Sequence, residues 1–243
     1  MRRALTFAGS FVLLLPVAGW GQQASTRFRI QPWKDGAVVV AGLSAALVPV
    51  LWPGRFPHAT CAPCDPAALW PVDRGAIGPA RPGADAAGTG TLMVEAALGA
   101  AFLASSRRGE GFAPFAEDAT VIAQSVSVTA AVTEWAKVLF HRPRPFLYVP
   151  TATGPVAPDD GRSMPSEHTS IAFAAAAAYA SVLHRRGLAG RHKLEIGALF
   201  ATAAATGALR IIARHHFPTD VAAGAALGFA IGWTFPALHP TLP

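Results

Sequence analysis

The sequence predicts an all-α protein, a helical bundle of about five to six mostly membrane-spanning helices with its polar site residues at one end. Three observations carry this. The 243-residue chain is 52% hydrophobic and only 14% charged, against about a quarter charged in ordinary soluble domains. Its apolar residues fall into a series of long segments, most of them near the roughly 20 residues that cross a bilayer core. Alternating β-branched runs are rare, which argues against strands. Abundant alanine makes each segment weak on an insertion scale, so a soluble bundle is the competing architecture. The length suits one domain with a full core, over residues 22–243.

The elements follow in order. Residues 1–21 open with Arg2 and Arg3, continue apolar to about Ala18 and close on Gly19-Trp20-Gly21. That is the pattern of an export signal, with an uncleaved first membrane helix as the alternative. Residues 36–52 form an uncharged run that stops at Trp52-Pro53. Residues 53–88 are rich in Pro and Gly, carry Cys61 and Cys64, and read as an exported loop. Residues 89–106 are apolar except for Glu95, and 119–140 are apolar until Glu134 and Lys137. Residues 167–183 hold an alanine run, 195–212 are apolar around Arg210, and 220–238 carry one charge, at the start.

The formal charge is +6, mostly from arginine, with lysine only at 34, 137 and 193. No basic tract is interleaved with aromatics, so nucleic acid is not an expected partner. The basic stretch 184–193 and the pair Arg107-Arg108 place their loops on the cytoplasmic side of a bilayer. The helix ends away from them then face the periplasm. A cleaved signal followed by a spanning 36–52 helix would reverse this. The basic loop agrees with exported cysteines, so the orientation rests on the loop. Cys61-Ala-Pro-Cys64 suits a tight disulfide or two free thiols. A zinc site wants about four ligands and only His58 and Asp65 are near, while a redox motif would want a βαβ context. No metal is expected.

Three motifs sit at the predicted periplasmic ends. In the first, Lys137 lies in the last turn of helix 119–140, Pro143 and Pro145 end the helix, and Arg144 projects from the stiff segment between them. Such residues also complement a helix dipole, and Glu134 is placed to pair with Lys137. In the second, Pro165-Ser166-Glu167-His168 opens a helix. Pro, Ser and Glu are ordinary helix-start residues, yet the same free backbone N–H groups bind phosphate oxygens, and His168 is placed to move a proton. In the third, Arg210 ends an apolar helix, where an arginine is costly, and His216 and Asp220 flank Phe217-Pro218-Thr219. A carboxylate near an imidazole fixes its tautomer and frees the other nitrogen to attack. Asp220 is also a cap for helix 220–238, and His215 has no assigned role.

Lys-x6-Arg-Pro, then Pro-Ser-x-His, then Arg-x5-His-x3-Asp, in that order, resembles the type 2 phosphatidic acid phosphatase superfamily, over motifs spanning Lys137 to Asp220. The resemblance implies a metal-independent phosphatase of a lipid phosphate or diphosphate, without cofactor, acting at the periplasmic face of the bacterial inner membrane. It implies His216 as nucleophile, forming a phosphohistidine, Asp220 as its orienting partner and His168 as acid and then base. Lys137, Arg144, Ser166, the backbone near Glu167, and Arg210 would hold the phosphate. Two positions depart from the family pattern. Glu167 stands where glycine is usual, so its carboxylate repels phosphate unless a cation pairs with it. Leu209 stands where serine is common, so one oxygen donor is lost. The same pocket would serve a soluble exported acid phosphatase of small phosphomonoesters. A vanadate-dependent haloperoxidase is the third reading, for which the chain is short.

Overall fold

The computed structural model describes residues 27–242; the signal-like stretch 1–21 lies outside the described residues. Among these residues seven α-helices form, six of them long: α1 (Pro32–Leu51), α3 (Pro82–Ser106), α4 (Phe112–Phe140), α5 (Glu167–Arg185), α6 (Lys193–Ile212) and α7 (Pro218–Thr234). A four-residue helix, α2 (Pro71–Arg74), and short 3-10 turns fill the 53–81 connection. Strand β1 (Arg27–Phe28) pairs antiparallel with β2 (Thr241–Leu242), so the two ends of the described chain meet. The expected all-α bundle is what forms.

Two helices begin earlier than apolar content suggests. α3 starts at Pro82 and α4 at Phe112. In both cases a proline, Pro82 or Pro114, falls in the first turn, where a missing N–H costs nothing. The first turn of α3, Pro-Gly-Ala-Asp, and that of α4, interrupted by Pro114, therefore read as loop although the backbone is already helical. α1, α3, α6 and the stretch from Pro218 to Leu238 are long and apolar enough to cross a membrane. α4 and α5 are the inner helices. α4 buries Gln124, Ser125, Thr129 and Thr133, and α5 buries nearly its whole alanine-rich surface, Ala172 to Val182.

Small residues set the spacing at the centre. α7 carries Gly224, Gly228 and Gly232 four residues apart, on one face. A Cβ at Gly228 would stand 2.1 Å from the Ser170 carbonyl oxygen, and one at Gly232 2.4 Å from that of Ala174. α7 therefore lies directly on the α5 backbone, the close approach that small-residue stripes allow. This contact aligns the first turns of α5 and α7, and the Ser166 amide donates to the Asp220 carbonyl at 3.0 Å.

The helix order gathers the ends. The starts of α3 and α5, the ends of α4 and α6 and the loop leading into α7 meet at one cavity. The opposite end holds the two basic loops, tied by Asp118 between Arg107 and Arg186, each 2.5 Å away. Arg27 pairs with Glu117 there. Over the cavity end runs the 53–81 segment. Cys61 and Cys64 form a disulfide within it, Cys64 N donates to Leu147 O at 2.8 Å, and Leu69 and Ala76 pack with Leu147, Tyr148 and Phe217. Arg162 binds the Pro53, Phe56 and Pro57 carbonyls at 2.7–2.9 Å, which fastens the start of this segment to the α4–α5 connection.

Candidate active site

Each motif residue is placed by an element end. Helix α4 stops at His141, whose left-handed backbone turns the chain into the proline-stiffened 142–145 segment. Lys137 sits in the last turn and Arg144 beyond it. α5 starts at Glu167 with Ser166 as its N-cap residue. α6 ends just past Arg210, and a short loop carries His215 and His216 to Pro218 at the start of α7.

The products of these turns face one cavity of about 210 Å³. Of the eight site residues expected from sequence, six line it: Lys137, Arg144, Arg210, His168, His216 and Glu167. Ser166 and Asp220 stand behind the wall. Ser166 is fully buried, and its hydroxyl accepts from Thr169 Oγ1 at 2.9 Å.

The imidazole of His216 is oriented by backbone. Its Nδ1 is 2.7 Å from the Ser163 carbonyl oxygen. A carbonyl only accepts, so Nδ1 carries the proton and Nε2 keeps its lone pair. Asp220 Oδ2 is 3.9 Å from the same Nδ1. The carboxylate is engaged elsewhere: Oδ2 accepts from the Phe217 amide at 2.8 Å and Oδ1 from Arg142 at 2.6 Å. Asp220 thus reaches back to cap its own helix, as an acidic residue in the first turn does, and anchors the backbone of the His216 loop.

Arg142 was not marked by the sequence motifs, yet it ties three pieces together. It binds Asp220, the Thr219 hydroxyl at 2.7 Å and Asp73 at 2.8 Å, and its guanidinium lies 4.2 Å over the Phe217 ring. Asp73, fully buried in the disulfide-bearing segment, also accepts from the Thr219 amide and hydroxyl, at 3.1 and 2.7 Å. Burial alone would raise the Asp73 carboxyl; hydrogen bonds from Arg142 and Thr219 outweigh it and hold the group below the ordinary carboxylate range.

Helix α3 contributes two more residues that the motifs do not contain. Thr89 Oγ1 is 3.2 Å from His168 Nε2, and Asp85, one turn earlier, pairs with Arg210. An acidic residue in a first turn reads in sequence as a dipole partner, so nothing local distinguishes Asp85. Arg144 pairs with Asp159 at 2.5 Å and donates to His215 Nδ1 at 3.0 Å, which makes His215 part of the cavity wall. Lys137 Nζ lies 2.5 Å from Glu134 and 3.0 Å from Glu167. The cation needed beside Glu167 is therefore present.

Electrostatically the cavity favours neutral imidazoles. Burial, then the charges of Arg144, Arg210 and Lys137, hold His216 well below its ordinary 6.5. His215 is pushed down to about 4, by burial first and Arg144 second. A neutral imidazole with a free Nε2, three cations and a second histidine form a set able to receive a tetrahedral anion and attack its centre. Among the described residues no cluster of His, Cys, Asp and Glu is arranged to hold a metal ion.

Comparison with known proteins gives two findings. A family model described as the PAP2 superfamily matches residues 118–242. The crystal structure of the first transmembrane PAP2 type phosphatidylglycerolphosphate phosphatase from Bacillus subtilis is similar at 17% identity and a TM-score of 0.49, covering 84% of this chain and 95% of that one. No curated protein matches the sequence.

Proposed function

The chain belongs to the PAP2 superfamily, and on that footing we propose that it is a membrane phosphatase that hydrolyses the phosphomonoester or diphosphate of a lipid through a phosphohistidine. The observation that carries this is the convergence of Lys137, Arg144, Arg210, His168 and His216 on one cavity at the helix ends.

In this reading the phosphoryl group sits against the three cations, which offset charge on its non-bridging oxygens. Such positioning and charge stabilisation are most of what phosphoryl transfer requires. His216 Nε2 attacks phosphorus. The P–O bond to the leaving group breaks as His168, which takes up a proton beside the bound phosphoryl dianion, delivers that proton to the leaving oxygen. His168, now neutral, takes a proton from water, the water oxygen attacks the phosphohistidine, and the P–N bond breaks to release inorganic phosphate. The Ser163 carbonyl stabilises the Nδ1–H throughout, and Asp220 with Arg142 and Asp73 keeps the loop rigid.

The reading also assigns a side. The basic loops cluster at the end opposite the cavity, which by the charge rule puts them in the cytoplasm and the cavity at the periplasmic face. The described chain begins and ends at the basic end, as an even number of long helices requires. A bilayer substrate suits four apolar helices whose surfaces are largely exposed.

A phosphate-release screen across phosphatidic acid, a lipid diphosphate and small soluble phosphomonoesters tests this, with purified His216→Ala as the blank. Release from lipid phosphates in the presence of a chelator, lost in the variant, is the expected result. Turnover by His216→Ala near that of the parent chain would overturn the mechanism, and a strict need for a divalent metal would overturn its metal-free form.

A further inference from the structure

The three cations of the cavity are already neutralised from within. Arg210 is paired with Asp85, Arg144 with Asp159 at 2.5 Å, and Lys137 with Glu167 at 3.0 Å and with Glu134 behind it. Asp85, Asp159 and Glu167 belong to the cavity wall alongside the cations. Three positive charges face three negative ones, so the wall as it stands offers no net charge to a phosphate dianion.

Resting on the phosphatase reading, we propose that Asp85 and Asp159 are specificity-determining residues: built-in counter-ions that occupy the anion positions on Arg210 and Arg144 and that a phosphoryl group must displace. The partners differ in freedom. The arginine side chains are 5% and 6% exposed, the carboxylates 35% and 70%. A carboxylate at the rim moves into water and is hydrated there, whereas a buried guanidinium has nowhere to go. The arginines are also held independently of these carboxylates. Arg144 Nε donates to the Asp159 main-chain oxygen at 3.0 Å and its Nη1 to His215. Arg210 fills a slot against Gly88, where a Cβ would stand 3.2 Å from its Cδ, and its buried Nε has no hydrogen-bond partner.

The arrangement discriminates among anions. A singly charged, weakly bonding anion does not replace two carboxylates, whereas a tetrahedral dianion with three free oxygens engages both arginines at once. After hydrolysis the carboxylates compete inorganic phosphate off the arginines, which favours product release. Asp85 lies outside residues 118–242, the stretch that matches the family model, so half of this device belongs to helix α3 of this chain.

The test uses the full-length chain in detergent, with inorganic orthophosphate as probe, measured by calorimetry and as an inhibitor of turnover. Asp85→Asn and Asp159→Asn are expected to bind orthophosphate about three- to tenfold more tightly and to lower KM, without a rise in kcat. Asp160→Asn removes the same formal charge one residue along, from a carboxylate outside the cavity wall, and is expected to change affinity less than Asp159→Asn does. A merely structural role for the two aspartates predicts the opposite sign, weaker binding. Because Asp159 is largely exposed, Asp159→Asn decides the question even if Asp85→Asn fails to fold. Unchanged or weaker binding in Asp159→Asn, or equal tightening in Asp160→Asn, overturns the inference. If the parent chain hydrolyses phosphate esters in that case, the phosphatase reading stands. A parent chain that neither binds orthophosphate nor hydrolyses any ester overturns both.

Discussion

His216 Nδ1 lies 2.7 Å from the Ser163 carbonyl oxygen, and the Asp220 carboxylate stands back at 3.9 Å, bonded instead to Arg142 and the Phe217 amide. The imidazole is thus aimed by a main-chain carbonyl, and Asp220 acts on it through the loop. Asp220→Asn keeps most of the shape but weakens the Arg142 bridge. It is expected to lower kcat by about 10²-fold, the scale of a small misplacement, with KM little changed. His216→Ala is expected to abolish turnover. Single-turnover kinetics on the two variants check this; equal losses would mean that Asp220 shares the chemistry of His216.

The depressed imidazoles fix a pH dependence. His216 attacks as the neutral base, and its folded pKa lies well below 6.5. The acid limb of kcat/KM is therefore expected well below pH 6.5. Arg144→Gln removes a cation that disfavours the imidazolium, so the residual activity of that variant loses its acid side at higher pH. Stability follows the same sign. Between pH 6.5 and about 4 the unfolded chain takes a proton at His215 that the folded chain refuses, so folding weakens as pH falls through that window. Thermal unfolding against pH, with His215→Asn flattening the slope, is the measurement.

The α5–α7 contact gives a sharp packing prediction. A methyl at Gly228 would meet the Ser170 carbonyl oxygen at 2.1 Å, which is backbone and cannot step aside. Gly228→Ala is expected to cost about 1–3 kcal/mol and to reduce turnover, because the first turns of α5 and α7 are joined by the Ser166–Asp220 bond. Gly197→Ala on α6, with nothing within 4 Å, is expected to be neutral or slightly stabilising. Thermal shift in detergent separates the two.

What was legible in the sequence is what has a local signature. Long apolar runs place four of the six long helices to within a few residues at both ends, and proline-bounded motifs mark Lys137, Arg144, His168, Arg210 and His216. The starts of α3 and α4 escape because a first turn tolerates proline and glycine. Asp73, Asp85, Thr89, Arg142 and Asp159 escape for a different reason. Each matters only through a partner 15 to 146 positions away, and sequence spacing on one helix says nothing about which helix lies beside it. Gly224, Gly228 and Gly232 do repeat at four-residue spacing, and that stripe was a readable sign of close helix contact. His215 shows the reverse case: conspicuous in sequence, it gains its place in the wall only through the Arg144 contact.

Glu95 supplies the last prediction. It sits on α3, 1% exposed, and neither carboxyl oxygen has a hydrogen-bond partner. The side chain borders a largely apolar cavity of about 370 Å³ with Leu92, Phe115, Ile171 and Leu199. A buried carboxyl without partners forfeits its hydration and recovers little in return. Glu95→Leu keeps a similar volume and removes the polar group, so it is expected to stabilise the fold by about 1–3 kcal/mol. Glu95 lies ten residues beyond Asp85, about 15 Å along the helix, so phosphate release by Glu95→Leu is expected to match that of the parent. Melting in detergent together with the release assay reads both. A lower melting temperature, or a loss of activity at unchanged stability, would show that Glu95 serves a polar partner within the bundle.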